Sequence, residues 1–294
     1  MRAAHVALVM TLVAAPGCID LVGADINNKY VERDEKRFST TGNPDISLST
    51  FDGSIEVRAW DRSEVEVIIE KRAPSKESAA SIQVEAEQTG NRISVDARVP
   101  KSSSFGFHIG SRSAKLIVSA PASSNLVAKS GDGSIDVDRI TGRVELRSGD
   151  GSIHARDVGG DVKVHTGDGA IKVERVKGAL DVDTGDGSVV ASGAFTALRA
   201  RTGDGGIDIR VEPGSSPTSD WDISTGDGSI NLELPDGFSG ELDAHTGDGR
   251  VHMDNVTLTN VTGEIGKSTV RGRIGSGGRS VRVRTGDGSI TLRR

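Results

Sequence analysis

At 294 residues the chain has room for one long domain or two smaller ones. Aromatics make up 3% and there are 38 glycines, which argues against a compact core built on large side chains. Its apolar content is carried by Val, Ile, Leu and Ala, and Val and Ile favour strands. A net charge of −6 argues against a nucleic-acid partner, which would need a concentrated basic face.

In chain order, Arg2 precedes an apolar stretch from Val6 to Ala15, too short to span a bilayer but of secretory h-region length. It runs into Ala15-Pro16-Gly17-Cys18, and Cys18 is the only cysteine. The Gly-Cys junction resembles the bacterial lipobox, in which the cysteine is lipidated and becomes the mature N-terminus. Ala15 and Pro16 depart from that motif's usual residues. The alternative is an ordinary cleaved signal with an incidental cysteine, but a cut after Ala15 would leave Pro16 at the new terminus. The expectation is therefore a signal peptide over 1–17 and lipidation at Cys18. That makes an exported cell-envelope protein, anchored to a membrane and facing the periplasm or the cell surface. A single cysteine gives no disulfide frame, so stability must come from regular structure. Residues 18–37, with Asp25, Lys29, Glu32, Arg33, Asp34, Glu35, Lys36 and Arg37, read as a polar tether.

Residues 38–125 form a strand-rich part that covers the first repeat. Ser49-Thr50-Phe51-Asp52-Gly53-Ser54-Ile55 is an early version of a turn that recurs later. Alternating runs follow at Val65–Ile69, Ile82–Ala86, Ile93–Val99 and Lys115–Ser119, and Pro74–Ala80 reads as a helical turn or a loop.

From residue 126 to 294 the chain repeats. Gly-Asp-Gly places its aspartate at Asp132, Asp150, Asp168, Asp186 and Asp204, always 18 residues apart. In rows of 18, one column reads Ile135, Ile153, Ile171, Val189, Ile207, and another Val144, Val162, Leu180, Leu198. Apolar residues sit two apart within each row, the period of a strand with one buried face. A row is too small to bury anything alone, whereas stacked rows share one core, so the fold class is all-β, a parallel β-solenoid. The count from Thr184 to Val189 is odd, so a straight strand would flip its buried face there. The glycine pairs Gly131/Gly133, Gly149/Gly151, Gly167/Gly169, Gly185/Gly187 and Gly203/Gly205 are the structural turns that prevent this, by positive φ. Outward columns alternate in sign, as in Glu145, Lys163, Asp181, Arg199, which supports parallel stacking independently.

Beyond residue 209 the spacing loosens, with aspartates at 227, 248 and 287. A degenerate row is expected at Ile265–Val270, with Lys267 in the aspartate's place. The Gly266-Lys267-Ser268 stretch is no phosphate loop, because position 261 holds Val and not the required Gly. Arg293 and Arg294 put charge on the last strand, as a guard against edge pairing.

The strand "FDGSIEVRAWDRSEVEVIIEKRA" with Trp60-Asp61, then "LIVSAPASSNLVAKSGDGSIDV" with Pro121, then the glycine-turn rows, resemble one bacterial family. It is the adhesin-type family catalogued as domain of unknown function 4097, and the resemblance spans roughly residues 38 to 294. It implies a β-solenoid of the bacterial envelope and brings no catalytic residues.

Three chemistries compete for the aspartates and the surface. A row of carboxylates spaced about 4.8 Å could hold Ca²⁺ at Asp132, Asp150, Asp168, Asp186 and Asp204. Alternatively Asp is a turn residue that caps the local backbone; the repulsion of about 0.9 kcal/mol between neighbours in water is tolerable without metal. A β-helical carbohydrate enzyme would need clustered acids in a groove. His108, His154, His165, His245 and His252 share no column, and Ser134, Ser152, Ser188, Ser229 and Ser289 have no base beside them. The expected role is a non-enzymatic binding or scaffold surface for an envelope ligand. It needs no cofactor, with a calcium-responsive module as the alternative.

Overall fold

The computed structural model describes residues 30–100, 111–263 and 267–294. The signal stretch, Cys18 and His108 lie outside them. The described chain is all-β: 23 strands join in one sheet of mixed parallel and antiparallel pairing. A one-turn helix, Lys76–Ala80, is capped by Ser75, whose hydroxyl accepts from the Ser78 amide.

Pairing follows the repeat. Val144–Arg147 lies parallel between Asn125–Ser130 and Gly159–Thr166, with Val144 opposite Leu126 and Val162. Ile153–Arg156 lies parallel between Ile135–Asp138 and Ile171–Thr184, with Ile153 opposite Ile135 and Ile171. Each partner is 18 residues away, so the apolar columns stack like on like. Ile135, Ile153, Ile171, Val189 and Ile207 are all buried in one continuous cluster, with Val144, Val162, Leu180 and Leu198 opposite. Full burial of one such side chain contributes about 1.5–3 kcal/mol, which one row could not obtain alone.

At the N-terminal side, Asp45–Thr50 and Ile55–Trp60 do not merely cover the repeats. The first pairs in parallel with both Arg92–Arg98 and Asn125–Ser130. The second pairs in parallel with Ser113–Pro121 and Ile135–Asp138. The Asp52 turn is thus a row of the stack. The covering strands are antiparallel ones: Gln83–Thr89 on Arg92–Arg98, and Glu64–Ala73 on Ser113–Pro121. Residues 30–37, expected as tether, belong to strand Tyr30–Ser39, which pairs antiparallel with Glu64–Ala73 along ten positions. Its charges suit an outermost strand, where they discourage pairing with another chain.

At the other side the rows do not stack in chain order. Ser280–Thr285 lies between Trp221–Thr225 and Gly240–Thr246, parallel to both. Ile290–Arg293 lies likewise between Ile230–Glu233 and Val251–Asp254. The last row in sequence is therefore inserted between the two that precede it. Arg293 is consequently not at an edge; it stands against Glu233, 3.0 Å away. Ile265 and Gly266 lie outside the described residues. Lys267 flanks the last corner, its carbonyl accepting from the Val251 amide at 3.0 Å. The strand that follows, Thr269–Ile274, runs antiparallel to Gly240–Thr246 and is not another parallel row. Leu258–Gly263 pairs antiparallel outside it.

Candidate functional site

The Gly-Asp-Gly corner sits where one strand of a row ends and the next begins. Its glycines touch the corners beside them. The amide of Gly167 donates to the carbonyl of Gly149 at 2.5 Å, and Gly185 to Gly167 and Gly203 to Gly185 at the same distance. A Cβ on Gly187 would lie 2.0 Å from the Gly169 carbonyl oxygen, and one on Gly205 would lie 2.1 Å from that of Gly187. None of Gly131, Gly133, Gly149, Gly151, Gly167, Gly169, Gly185, Gly187, Gly203 and Gly205 has a φ between +20° and +160°. The expectation of positive φ is thus corrected. Glycine is required because successive corners are too close for a side chain.

The residue before each corner is a buried Ser or Thr, and its hydroxyl does the capping expected of the aspartate. The Ser148 hydroxyl accepts from the Gly151 amide at 3.1 Å and donates to the Gly133 carbonyl at 2.9 Å. Thr202 accepts from Gly205 and donates to Gly187 at 2.8 Å. Each hydroxyl thus ties its own corner to the neighbouring one. The relay crosses the inserted row as well, from Thr246 to Gly288 and from Thr285 to Gly228, both at 2.7 Å. The sequence signal is the strict column Ser130, Ser148, Thr166, Thr184, Thr202, one hydroxyl before each glycine.

Asp132, Asp150, Asp168, Asp186 and Asp204 are all exposed and brought into one row. An Asp132 oxygen points to within 3.0 Å of where a Cβ on Gly149 would stand. Each row contributes a single carboxylate. Among the described residues no three His, Cys, Asp or Glu side chains gather where a metal ion could be held.

A second corner went unnoticed in the sequence. Arg139, Asp157 and Arg175, also 18 apart, have φ of 62°, 54° and 54°, a left-handed conformation that Asp tolerates and Arg rarely adopts. Arg175 grips Asp157 with two hydrogen bonds, 2.6 and 2.7 Å. That hydrogen bonding by Arg175 holds the Asp157 carboxyl below the usual range.

Outward residues between the corners form two charged faces. On one, the register reads Glu145, Lys163, Asp181, Arg199, Asp222, Arg282, Asp243, Arg271, alternating without a break. For Asp243, burial pushes the carboxyl up, but hydrogen bonds and charge from Arg271 and Arg284 outweigh it and hold it low. On the other face Arg58, Asp138 and Arg156 alternate in the same way. A shallow depression of about 380 Å³ lies there, walled by Asp136, Asp138, His154, Arg156, Lys172 and Glu174. His154 faces Asp136 at 3.5 Å, and on the first face His165 meets Asp183 at 2.9 Å. Both histidines are members of surface ladders. Trp221 is fully buried at a strand start, edge-on to Phe195 at 6.2 Å, whereas Trp60 caps a turn by donating to the Glu64 carbonyl.

A stack of short parallel strands turned by glycine and tied by hydroxyls defines a repeat protein with corners in register. The chain belongs to the Toastrack DUF4097 family, whose model matches residues 43–293. No curated protein matches the sequence. Among solved structures it is similar to a "putative adhesin" from Bacteroides fragilis, at 14% identity and a TM-score of 0.41, covering 88% of this chain and 96% of that one. It is also similar to a "putative cell adhesion protein" from Clostridium sporogenes, at 12% identity and a TM-score of 0.28, covering 90% and 99%. A third, a "putative lipid binding protein" from Parabacteroides distasonis, has 12% identity and a TM-score of 0.31, covering 88% and 96%. Likeness at that level carries no argument about function.

Proposed function

We propose that the chain is a non-enzymatic parallel β-solenoid of the bacterial cell envelope that serves as a binding or scaffold surface. In this reading residues 1–17 direct export, a lipid on Cys18 holds the protein at a membrane, and a short polar segment joins it to the strand at Tyr30. The 18-residue rows are the coils of the solenoid, and the Asp45–Trp60 row is one of them.

The observation that carries the reading is the division of labour within each row. Gly, Ser/Thr and the apolar columns are committed to stacking, and what remains is two faces on which charged side chains of alternating sign recur along the stack. A surface repeated along a stack suits extended contact with a partner, whereas a catalytic constellation needs to occur once.

Intact-mass spectrometry of the mature protein from bacterial membranes tests the placement. The expected species begins at Cys18 and carries acyl chains, and Cys18→Ser moves the protein to the soluble fraction. A mature chain that begins elsewhere without lipid would sink the anchored reading.

A further inference from the structure

Asp-Gly occurs ten times in the chain, nine times at the corners of stacked rows and once, at Asp236-Gly237, in a loop between rows. The dipeptide carries a chemical hazard. The glycine nitrogen attacks the γ-carboxyl carbon of the aspartate and closes a five-membered succinimide, its proton and the carboxyl hydroxyl leaving as water. Water then opens the ring at either carbonyl. One opening restores aspartate; the other leaves isoaspartate, in which the backbone runs through the side-chain carbonyl and is one methylene longer. Glycine favours the step because no side chain shields its nitrogen. The step needs a free amide proton and a peptide that can turn toward the carboxyl.

The corners restrict both. Six of their glycine amides donate to the hydroxyl three residues earlier, as Gly133 does to Ser130 at 2.9 Å and Gly205 to Thr202 at 3.2 Å. At Asp168 and Asp186 that hydrogen bond is absent among the described residues, but the neighbouring row still clamps the backbone. A Cβ on Gly169 would lie 2.2 Å from the Gly151 carbonyl oxygen, and the Gly169 carbonyl holds the Thr184 hydroxyl. At Asp52 the carbonyl accepts from the Ala114 amide at 2.8 Å. Gly237 has neither restraint. Three residues before it stands Leu234, which has no hydroxyl, and the Gly237 amide meets no acceptor among the described residues. A Cβ there would find nothing within 4 Å, and Asp236 and Gly237 are both exposed. The loop is closed only on itself, from the Phe238 amide to the Pro235 carbonyl at 3.2 Å. We propose that Asp236 is a site of spontaneous conversion to isoaspartate, and that the hydroxyl column and the close stacking protect the other nine. The added methylene falls two residues before Phe238, which is buried against Trp221 with ring centroids 5.3 Å apart. Conversion therefore loosens the Phe195-Trp221-Phe238 cluster.

The test is to age the folded protein for weeks at neutral pH and physiological temperature, then apply fragmentation mass spectrometry that separates aspartate from isoaspartate. Asp236 is expected to convert at least about tenfold faster than any hydroxyl-held corner, because a corner must first open locally. In strong urea, where the rows are gone, the ten sites should convert alike. Thr202→Val should raise conversion at Asp204 several-fold and leave Asp236 unchanged. If that variant does not fold, the time courses of the natural chain with and without urea decide alone. Asp236→Glu, which cannot close the five-membered ring, should keep its urea midpoint over the same period while that of the natural chain falls. An unchanged midpoint in the converted chain overturns the loosening of the cluster. No isoaspartate at Asp236, equal conversion at the corners of the folded chain, or an excess at Asp236 that persists in urea overturns the proposal.

Discussion

Gly205 and Gly206 are neighbours in one loop, yet the structure gives them opposite constraints. A Cβ on Gly205 would stand 2.1 Å from a backbone oxygen, and one on Gly206 would find nothing nearer than the Ser229 carbonyl at 3.5 Å. Gly205→Ala is therefore expected to cost about 3 kcal/mol, since the obstacle is backbone and must move. Gly206→Ala should be neutral or stabilise by up to about 1 kcal/mol, through the unfolded chain. Urea unfolding of both variants checks the pair, and equal losses would refute the close-stacking account. The Thr184 hydroxyl makes the same point for the relay, donating to the Gly169 carbonyl at 3.0 Å. Thr184→Val keeps the shape but strands that carbonyl, so a loss of about 1–3 kcal/mol is expected, and Thr184→Ser should recover most of it. The sequence displayed both columns plainly. It could not say that the glycines serve proximity and not positive φ, because φ at a corner depends on where the adjacent row lies.

At the scale of the strand, two-residue alternation was enough to assign inside and outside. Val164 is buried among Leu146 and Val182, whereas Lys163 is exposed between Glu145 and Asp181. Val164→Asp is expected to cost about 4 kcal/mol or more, as a buried charge without a partner. Lys163→Asp, which sets three acids in line on the surface, should cost about 1 kcal/mol. Thermal melts of the two variants give the comparison. Strand identity failed in two places, both for want of a neighbour. Tyr30–Ser39 is too polar to reveal a strand, and only its antiparallel partner Glu64–Ala73 makes it one. Thr269–Ile274 has the right alternation for another row but runs the opposite way beside Gly240–Thr246.

For the molecule as a whole, the order of rows decides which charges meet. Asp222 faces Arg199 on one side and Arg282 on the other. Asp222→Arg should therefore destabilise by about 1 kcal/mol, since it creates two like-charge contacts. In chain order its second neighbour would be Asp243, and the same change would relieve a repulsion on that side. A clear fall in the denaturant midpoint at low salt supports the inserted order, whereas chain order would leave it nearly unchanged, the new contact with Arg199 being offset by the relief at Asp243.

The sequence by itself determined the period, the buried columns, the strand character and the family, because stacking like on like writes each contact into every row. Beyond residue 209 it holds a clue to the row order that it does not settle by itself. Asp222 beside Asp243 breaks the alternation, and only Arg282 restores it. Tertiary structure alone decided that insertion, the left-handed corner at Arg139, Asp157 and Arg175, and the reason for the glycines. All three depend on contacts between residues whose separation is no longer the 18 of the repeat, or on distances to a neighbouring backbone that no single row contains.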